Sequence, residues 1–366
     1  MDIRMLPLPA FKRYKKEKEE NIKLLREDQR EERSLMRGYP NYINMITDES
    51  CNFRCSMCIQ QVRWAAGRGP EVIDEKYLVK FAREVFPTAL VMQLNTAGEP
   101  LVSRVLDLEL SLAEEYGLKL DLFTNGYYFD LKHKRLRNLL KNILLATFSV
   151  DSPVKKTYES IRKGGDFDRL VKNMRAFHAY RKRLPLHQRP YFSINMVVMK
   201  KNLNELSRMV RFAKDIGADE VVLSRMLVHN DSMHNESLDD VKIEANLAMM
   251  GALFLAHRLG IRIATSSLFP VQKSKKGDSS LARREQPQTE RTCSFLWSSV
   301  YLDSNACVIP CCAPSHPVIG SMRDSDLKSL WNSPMYQSMR STFTGGLGHP
   351  VCRECRKTGL LSTLDC

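Results

Sequence analysis

No run of about 18 apolar residues occurs in this 366-residue chain, so no membrane span is expected. Met1-Asp2-Ile3-Arg4 leads into charged residues, where a secretion signal would carry an apolar core, so a cytoplasmic protein is expected. There is no solenoid-type repeat and no recognisable DNA- or RNA-binding motif, although the formal net charge is +14. Lys and Arg are spread along the chain. That pattern suits a generally basic enzyme, with nucleic acid not expected as a partner and phosphorylated substrates favoured by the charge.

Hydrophobic residues make up 43% of the chain, enough for a sizeable core. Ten cysteines in a reducing compartment point to metal binding or catalysis in preference to disulfides.

Residues 1–40 are dominated by Lys, Arg, Glu and Asp from position 11 to 34 and read as a solvated helix or tail. They are too few for a separate folded domain. From Tyr42, short apolar runs alternate with amphipathic stretches. The strand-like runs are Tyr42–Ile46, Leu90–Leu94, Leu118–Phe123, Ile143–Val150, Phe192–Met199, Glu220–Ser224 and Ile261–Ala264. Strands alternating with helices imply βα units on a parallel sheet. Roughly six such units fit within 41–270, too few for an eight-fold barrel, so the fold class is α/β with a partial (β/α)6 TIM-like barrel. Residues 271–292 are polar and charged and read as a linker. Seven of the ten cysteines then fall within 293–366, which marks a small cysteine-rich C-terminal domain.

Cys51-Asn52-Phe53-Arg54-Cys55-Ser56-Met57-Cys58 follows the first strand, at the end where parallel α/β folds place chemistry. Three thiolates at this spacing can hold three irons of a 4Fe–4S cubane and leave one iron open. Buried cysteines or part of a zinc site are the alternatives on spacing alone.

The triplet resembles that of the radical S-adenosylmethionine (SAM) superfamily, in which the open iron chelates the amino and carboxylate groups of SAM. Later loops extend the resemblance. Thr96-Ala97-Gly98-Glu99-Pro100, after the second strand, resembles the family's glycine-glutamate motif, with Ala97 in place of a first glycine. Thr124-Asn125-Gly126 resembles its Thr-Asn-Gly, although by itself it reads as a turn. Ser149-Val150-Asp151-Ser152 and Tyr158–Gly164 look like segments that grip SAM in the family's SPASM group. The resemblance implies that Gly98 and Glu99 meet the SAM amino group. It places Ser149 and Arg162 at the methionyl carboxylate or ribose, and Met57, Asn195 and Val197 at the ribose and adenine.

In the C-terminal region, Cys293, Cys311 and Cys352-Arg353-Glu354-Cys355 can close around a second cluster or a zinc ion. The segment resembles the SPASM/Twitch extension, with Ala306 replacing a usual glycine. The resemblance implies one auxiliary 4Fe–4S cluster on Cys293, Cys311, Cys352 and Cys355. The further cysteines of a full SPASM pattern are missing, since position 361 is Leu361 and only Cys366 lies beyond. Cys307, Cys312 and Cys366 are spare, and Cys312 can exchange roles with Cys311.

Two 4Fe–4S clusters and SAM are thus the expected cofactors, with an electron donor such as flavodoxin or ferredoxin. The expected reaction is reductive cleavage of SAM to a 5′-deoxyadenosyl radical and abstraction of hydrogen from a C–H bond. The substrate expected is a small polar metabolite of sugar, aminoglycoside or nucleoside type; maturation of a ribosomal peptide or protein is the alternative. His229, Asp231, His234 and Glu236 after the sixth strand, and Cys307 or Cys312, are the candidate catalytic or substrate-anchoring groups. A non-enzymatic iron–sulfur or zinc protein, carrying electrons or binding nucleic acid, is the reading from another class.

Overall fold

The computed structural model describes residues 13–265, 293–311, 316–344 and 349–358. The 271–292 linker, Cys312 and Cys366 lie outside them.

A helix, α1 (Lys15–Arg30), precedes the alternating region. Then follow β1 (Tyr42–Ile46), α2 (Gln60–Ala65), α3 (Glu75–Val85), β2 (Val91–Leu94), α4 (Leu106–Tyr116), β3 (Lys119–Thr124), α5 (Lys134–Leu140) and β4 (Ile143–Ser149). The order continues with α6 (Lys155–Ile161), α7 (Phe167–Lys182), β5 (Tyr191–Val198), α8 (Leu206–Ile216), β6 (Glu220–Arg225), α9 (Lys242–Leu259) and β7 (Arg262–Thr265). The C-terminal region adds α10 (Phe295–Ser298), β8 (Ser299–Asp303), β9 (Cys307–Ile309), β10 (Gly320–Ser321), α11 (Leu327–Trp331), α12 (Pro334–Thr344) and α13 (Pro350–Thr358).

Strands β1 to β6 are each followed by a helix, so the six βα units stand as expected. Among the described residues one sheet carries ten strands in the order β10-β9-β8-β1-β2-β3-β4-β5-β6-β7, and its two ends do not meet. Pairing is parallel from β8 through β1 to β7, and antiparallel for β9 and β10. The open, partial barrel is thereby borne out, but the C-terminal region is no free-standing appendage. Its β8 pairs with β1 over five residues, Tyr42 with Ser299 through Ile46 with Asp303.

Period-two alternation sorts each strand into two faces. One face, with Ile43, Met45, Met92, Leu120, Leu122, Phe148, Ile194, Met196 and Val221, joins the apolar core formed with the helices. The registers set Asn44 beside Gln93 beside Asp121, and Thr147 beside Ser193 beside Glu220, on the other, largely polar face. Tyr42 Oη and Gln93 Nε2 donate to Asp121 Oδ2 across it, at 2.5 and 3.1 Å.

Helix α1 departs from expectation. It is docked against the barrel and not solvated all round. Ile22 packs with Leu90 and Val91, Lys18 Nζ donates to Ala89 O at 2.7 Å, and Asn21 Nδ2 donates to Tyr39 O at 2.9 Å. These partners lie just before β1 and at the start of β2, so α1 sits at the amino end of the barrel. The segment after it is sewn to the C-terminal region: Trp297 Nε1 donates to Arg33 O, Trp331 Nε1 to Gly38 O and Arg340 Nη1 to Ser34 O, at 2.9–3.0 Å.

Candidate functional site

The loops after β1, β2 and β3 and the carboxyl ends of β4 and β5 meet at the end of the barrel opposite α1. They enclose a cavity of about 260 Å³, just under the roughly 300–1,000 Å³ usual for small-ligand sites. Cys51, Cys55 and Cys58 line it together with Met57, Gly98, Glu99, Ser149, Arg162 and Val197. Asn195 is the exception among the expected SAM contacts. It is absent from the lining, and its Oδ1 accepts from Ser224 Oγ at 2.9 Å.

The cysteine loop is held on both flanks. Arg54 N donates to Lys163 O and Ser56 N to Ile161 O, each at 2.9 Å, which ties the loop to the end of α6. On the other side Glu99 N donates to Ser50 O at 2.9 Å. Gly98 is required there by packing, since a Cβ would stand 2.4 Å from Ser50 O and 2.6 Å from Asp48 O. Gln60 Nε2 donates to Glu49 O at 2.8 Å and also to Ala97 O, joining the same two loops.

Glu99 is buried and accepts from Thr124 Oγ1 at 2.6 Å, Asn125 N at 2.7 Å and Leu101 N at 3.3 Å. Burial pushes its carboxyl up to about 7, with the Asn125 and Thr124 donors working the other way. The Thr124-Asn125-Gly126 segment thus does more than turn the chain: it orients Glu99. Asn125 Nδ2 also donates to Asn52 Oδ1 in the cysteine loop, at 3.0 Å.

Arg162 is buried, with Nε 2.7 Å from Asp151 Oδ2 and Nη1 3.9 Å from Cys55 Sγ. Burial works against both charges and pushes the Asp151 carboxyl up. The 2.7 Å approach and the Val197 N–H donated to Asp151 Oδ1 at 2.8 Å favour the ionised pair. Asp151 therefore links the guanidinium to the backbone of β5. No local sequence pattern assigns Asp151 this part, because the cation it faces lies on a different segment, 11 residues on.

Burial pushes Cys51 up to about 11 and Cys55 up to about 12, and raises Cys58. The Phe53 N–H at 3.5 Å from Cys51 Sγ and the Arg162 cation beside Cys55 oppose that shift. A donor and a cation placed at the sulfurs suit thiolates that ligate iron, and uptake of iron would release protons. Beyond the sulfurs, Met57 and Val197 pack with Ile161, Met199, Met226 and Met233 in an apolar wall. A cluster with an open iron, and a ligand with polar and aromatic ends, fit this set of groups.

Three thiols of the second cysteine set lie near enough to feel one another's charge, but among the described residues no three ligating groups stand within metal-binding reach. Burial pushes Cys293 up to about 12, and charge on Cys352 and Cys355 adds to the rise, so the three thiols share one neighbourhood. Buried Tyr336 feels both Cys311 and Cys293. Cys307 stands elsewhere: its charged neighbours are Asp303, Arg323 and Asp324.

The substrate-side candidates do not reach the cavity lining. His229 is half-buried, and burial lowers its pKa. Asp231 and His234 are exposed and face one another at 4.0 Å. Glu236 accepts from Lys201 N at 2.9 Å. The loop after β6 turns Met226, Val228 and Met233 to the apolar wall and carries Asp231, His234 and Glu236 in a short helical turn.

Comparison with known proteins agrees with this geometry. The family model for the radical SAM superfamily matches residues 45–213, and that for the SPASM iron–sulfur cluster-binding domain matches residues 293–356. A tungsten-containing aldehyde ferredoxin oxidoreductase cofactor-modifying protein of Pyrococcus furiosus is 24% identical over 337 residues, 86% of each chain. A GTP 3′,8-cyclase of Campylobacter fetus is 26% identical over 182 residues, covering 49% of this chain and 53% of that protein. Among solved structures, Streptococcus suis SuiB bound to S-adenosylmethionine superposes with a TM-score of 0.62 at 18% identity, covering 87% of this chain and 71% of that one. The structure of anSMEcpe with bound AdoMet gives a TM-score of 0.60 at 17% identity, covering 88% of this chain and 85% of that one.

Proposed function

We propose, for a chain that belongs to the radical SAM superfamily and carries a SPASM-type iron–sulfur domain after its barrel, that Cys51, Cys55 and Cys58 hold the SAM cluster and that the enzyme acts on a small polar substrate. The observation that carries the assignment is the single cavity onto which these thiols, Glu99, Ser149, Arg162 and Val197 all open. The cluster and SAM, when bound, supply a 5′-deoxyadenosyl radical that takes a hydrogen atom from a substrate C–H bond. The chain's own residues bind and orient. Glu99, fixed by Thr124 and Asn125, offers a carboxylate to an amino group. Arg162, fixed by Asp151, offers a cation to a carboxylate, with Ser149 beside it as a hydrogen-bond donor. Met57 and Val197 give an apolar face to adenine. Cys293, Cys311, Cys352 and Cys355 hold an auxiliary cluster, and a flavodoxin or ferredoxin supplies the electron.

A small polar substrate, sugar- or nucleoside-like and carrying phosphate, is supported by the +14 charge. The sequence relatives, a cofactor-modifying protein and a GTP cyclase, point the same way. A second reading, peptide or protein maturation, has one observation in its favour: SuiB, of the same fold, has been solved with the precursor peptide SuiA.

Anaerobic reconstitution followed by dithionite and SAM tests the assignment. We expect about eight irons per chain, falling to about four in the Cys51→Ala/Cys55→Ala/Cys58→Ala variant. A fully iron-loaded wild type that forms no 5′-deoxyadenosine overturns the reading. Deuterium carried into 5′-deoxyadenosine from a labelled small-molecule fraction supports the first substrate class; label from a peptide fraction supports the second.

A further inference from the structure

Ile243, Leu247, Met250 and Phe254 lie along the outer side of α9 and are each more than half exposed, at 60, 64, 54 and 65%. Their spacing puts them in one line along the helix. The other side of α9, with Ala245, Met249, Ala252 and Ala256, is buried in the barrel core. A helix that is apolar all round belongs in an interior, yet this one is apolar towards solvent.

We propose that this face is the two-fold interface of a homodimer, in which α9 packs antiparallel on α9 of a second copy. Charge at the two ends of the helix selects this occupant. Exposed Asp239 and Asp240 stand just before α9, and exposed His257 and Arg258 lie in its last turn. An axis midway between Leu247 and Met250 sets Leu247 on Met250 of the second copy and Ile243 on Phe254. The same register brings Arg258 to Asp239 of the second copy, at both ends at once, as an isologous contact requires; it also brings His257 near Asp240, which Lys200 Nζ already holds at 2.7 Å within its own chain. The parallel arrangement sets acid on acid and base on base. Antiparallel packing also opposes the helix dipoles favourably.

Gly251 is the independent observation. It sits mid-helix on the exposed side, where glycine weakens a helix. Nothing in the monomer calls for it, because an added Cβ would meet only Ser207 Oγ, at 3.9 Å. At an antiparallel helix pair it admits close approach of the second backbone. A single helix pair lies at the low end of specific interfaces, near ~1,200 Å², so the dimer dissociates on dilution.

Sedimentation velocity of the full iron-loaded chain, over roughly 1–100 μM, tests this. A monomer–dimer equilibrium is expected, abolished by Leu247→Glu with Phe254→Glu while iron content and SAM cleavage stay unchanged. Gly251→Leu, at an exposed position, weakens the dimer without unfolding the chain. Arg258→Asp weakens it about tenfold and Arg258→Asp with Asp239→Arg restores it. A wild type that is monomeric throughout overturns the proposal, the face then being covered by another protein or by residues 266–292. A dimer that survives Leu247→Glu with Phe254→Glu overturns it equally.

Discussion

Single residues in this barrel carry buried charge that the fold tolerates only through specific partners. Glu109 is the clearest case away from the cysteines. It is fully buried on α4, its Oε1 accepts from Thr47 Oγ1 at 2.5 Å, and its Oε2 finds no partner. Burial pushes its carboxyl up to about 7, with Thr47 working the other way and Asp48 adding to the rise. The ordinary carboxyl value is 4.5, so between that pH and about 7 the folded chain holds a proton that the unfolded chain has released. Stability contributed at this position is therefore present at low pH and lost as pH rises to about 7, by about 3 kcal/mol in all. Glu109→Gln removes that slope. Urea midpoints at pH 5 and pH 8 should show the variant gaining on the wild type with rising pH; a constant difference between the two would refute the assignment. Arg162 and Asp151 obey the same rule with the opposite solution, each charge answering the other.

At the scale of elements, the site depends on two loops pressed together. The loop after β2 meets the cysteine loop so closely at Gly98 that a methyl group would strike the backbone oxygens of Ser50 and Asp48. Neither oxygen is the end of a flexible side chain, so Gly98→Ala must push the loops apart. We expect the variant to keep about four irons, those of the C-terminal site, and to form no 5′-deoxyadenosine; a colorimetric iron assay with product chromatography reads both. The elements around this contact were legible in the sequence, because strand and helix periods differ. Tyr42–Ile46 coincides with β1, and the other six strand-like runs agree with their strands within one residue at either end. The glycine-glutamate and Thr-Asn-Gly loops were legible as motifs. What each loop touches was not, because contacts between Thr124 and Glu99, or Asp151 and Arg162, are set by neighbouring strands and not by local spacing. Helix α1 hid its docked face in the same way: Lys18 and Asn21 bind backbone carbonyls where a reader looks for apolar residues.

For the molecule as a whole, the decisive fact is that the second cysteine site is built onto the first strand. Strand β8 begins six residues after Cys293 and runs parallel with β1, which ends five residues before Cys51. Asn44 Nδ2 reinforces the pair by donating to Val300 O at 3.3 Å. That contact joins residues 256 apart in sequence, which is why no reading of the C-terminal region alone exposed it. The cysteines proposed as ligands of the C-terminal cluster lie on three separate pieces: Cys293 ahead of α10, Cys311 after β9, and Cys352 and Cys355 on α13. A cluster that tied these pieces together would hold β8 against the barrel, since metal binding is folding free energy wherever the site does not exist in the unfolded chain. Cys352→Ser should therefore act at a distance. Iron should fall to about four per chain, and amide exchange should quicken in Ser299–Asp303 and in Tyr42–Ile46, while β5 and β6 keep their protection. The electron paramagnetic resonance signal of the remaining cluster should broaden, because its loop hangs from the loosened strand. Unchanged exchange in β1 after loss of the C-terminal iron would show that packing of Trp297, Trp331 and Arg340 on residues 33–38 holds the two regions together unaided, and that the second cluster serves electron transfer alone.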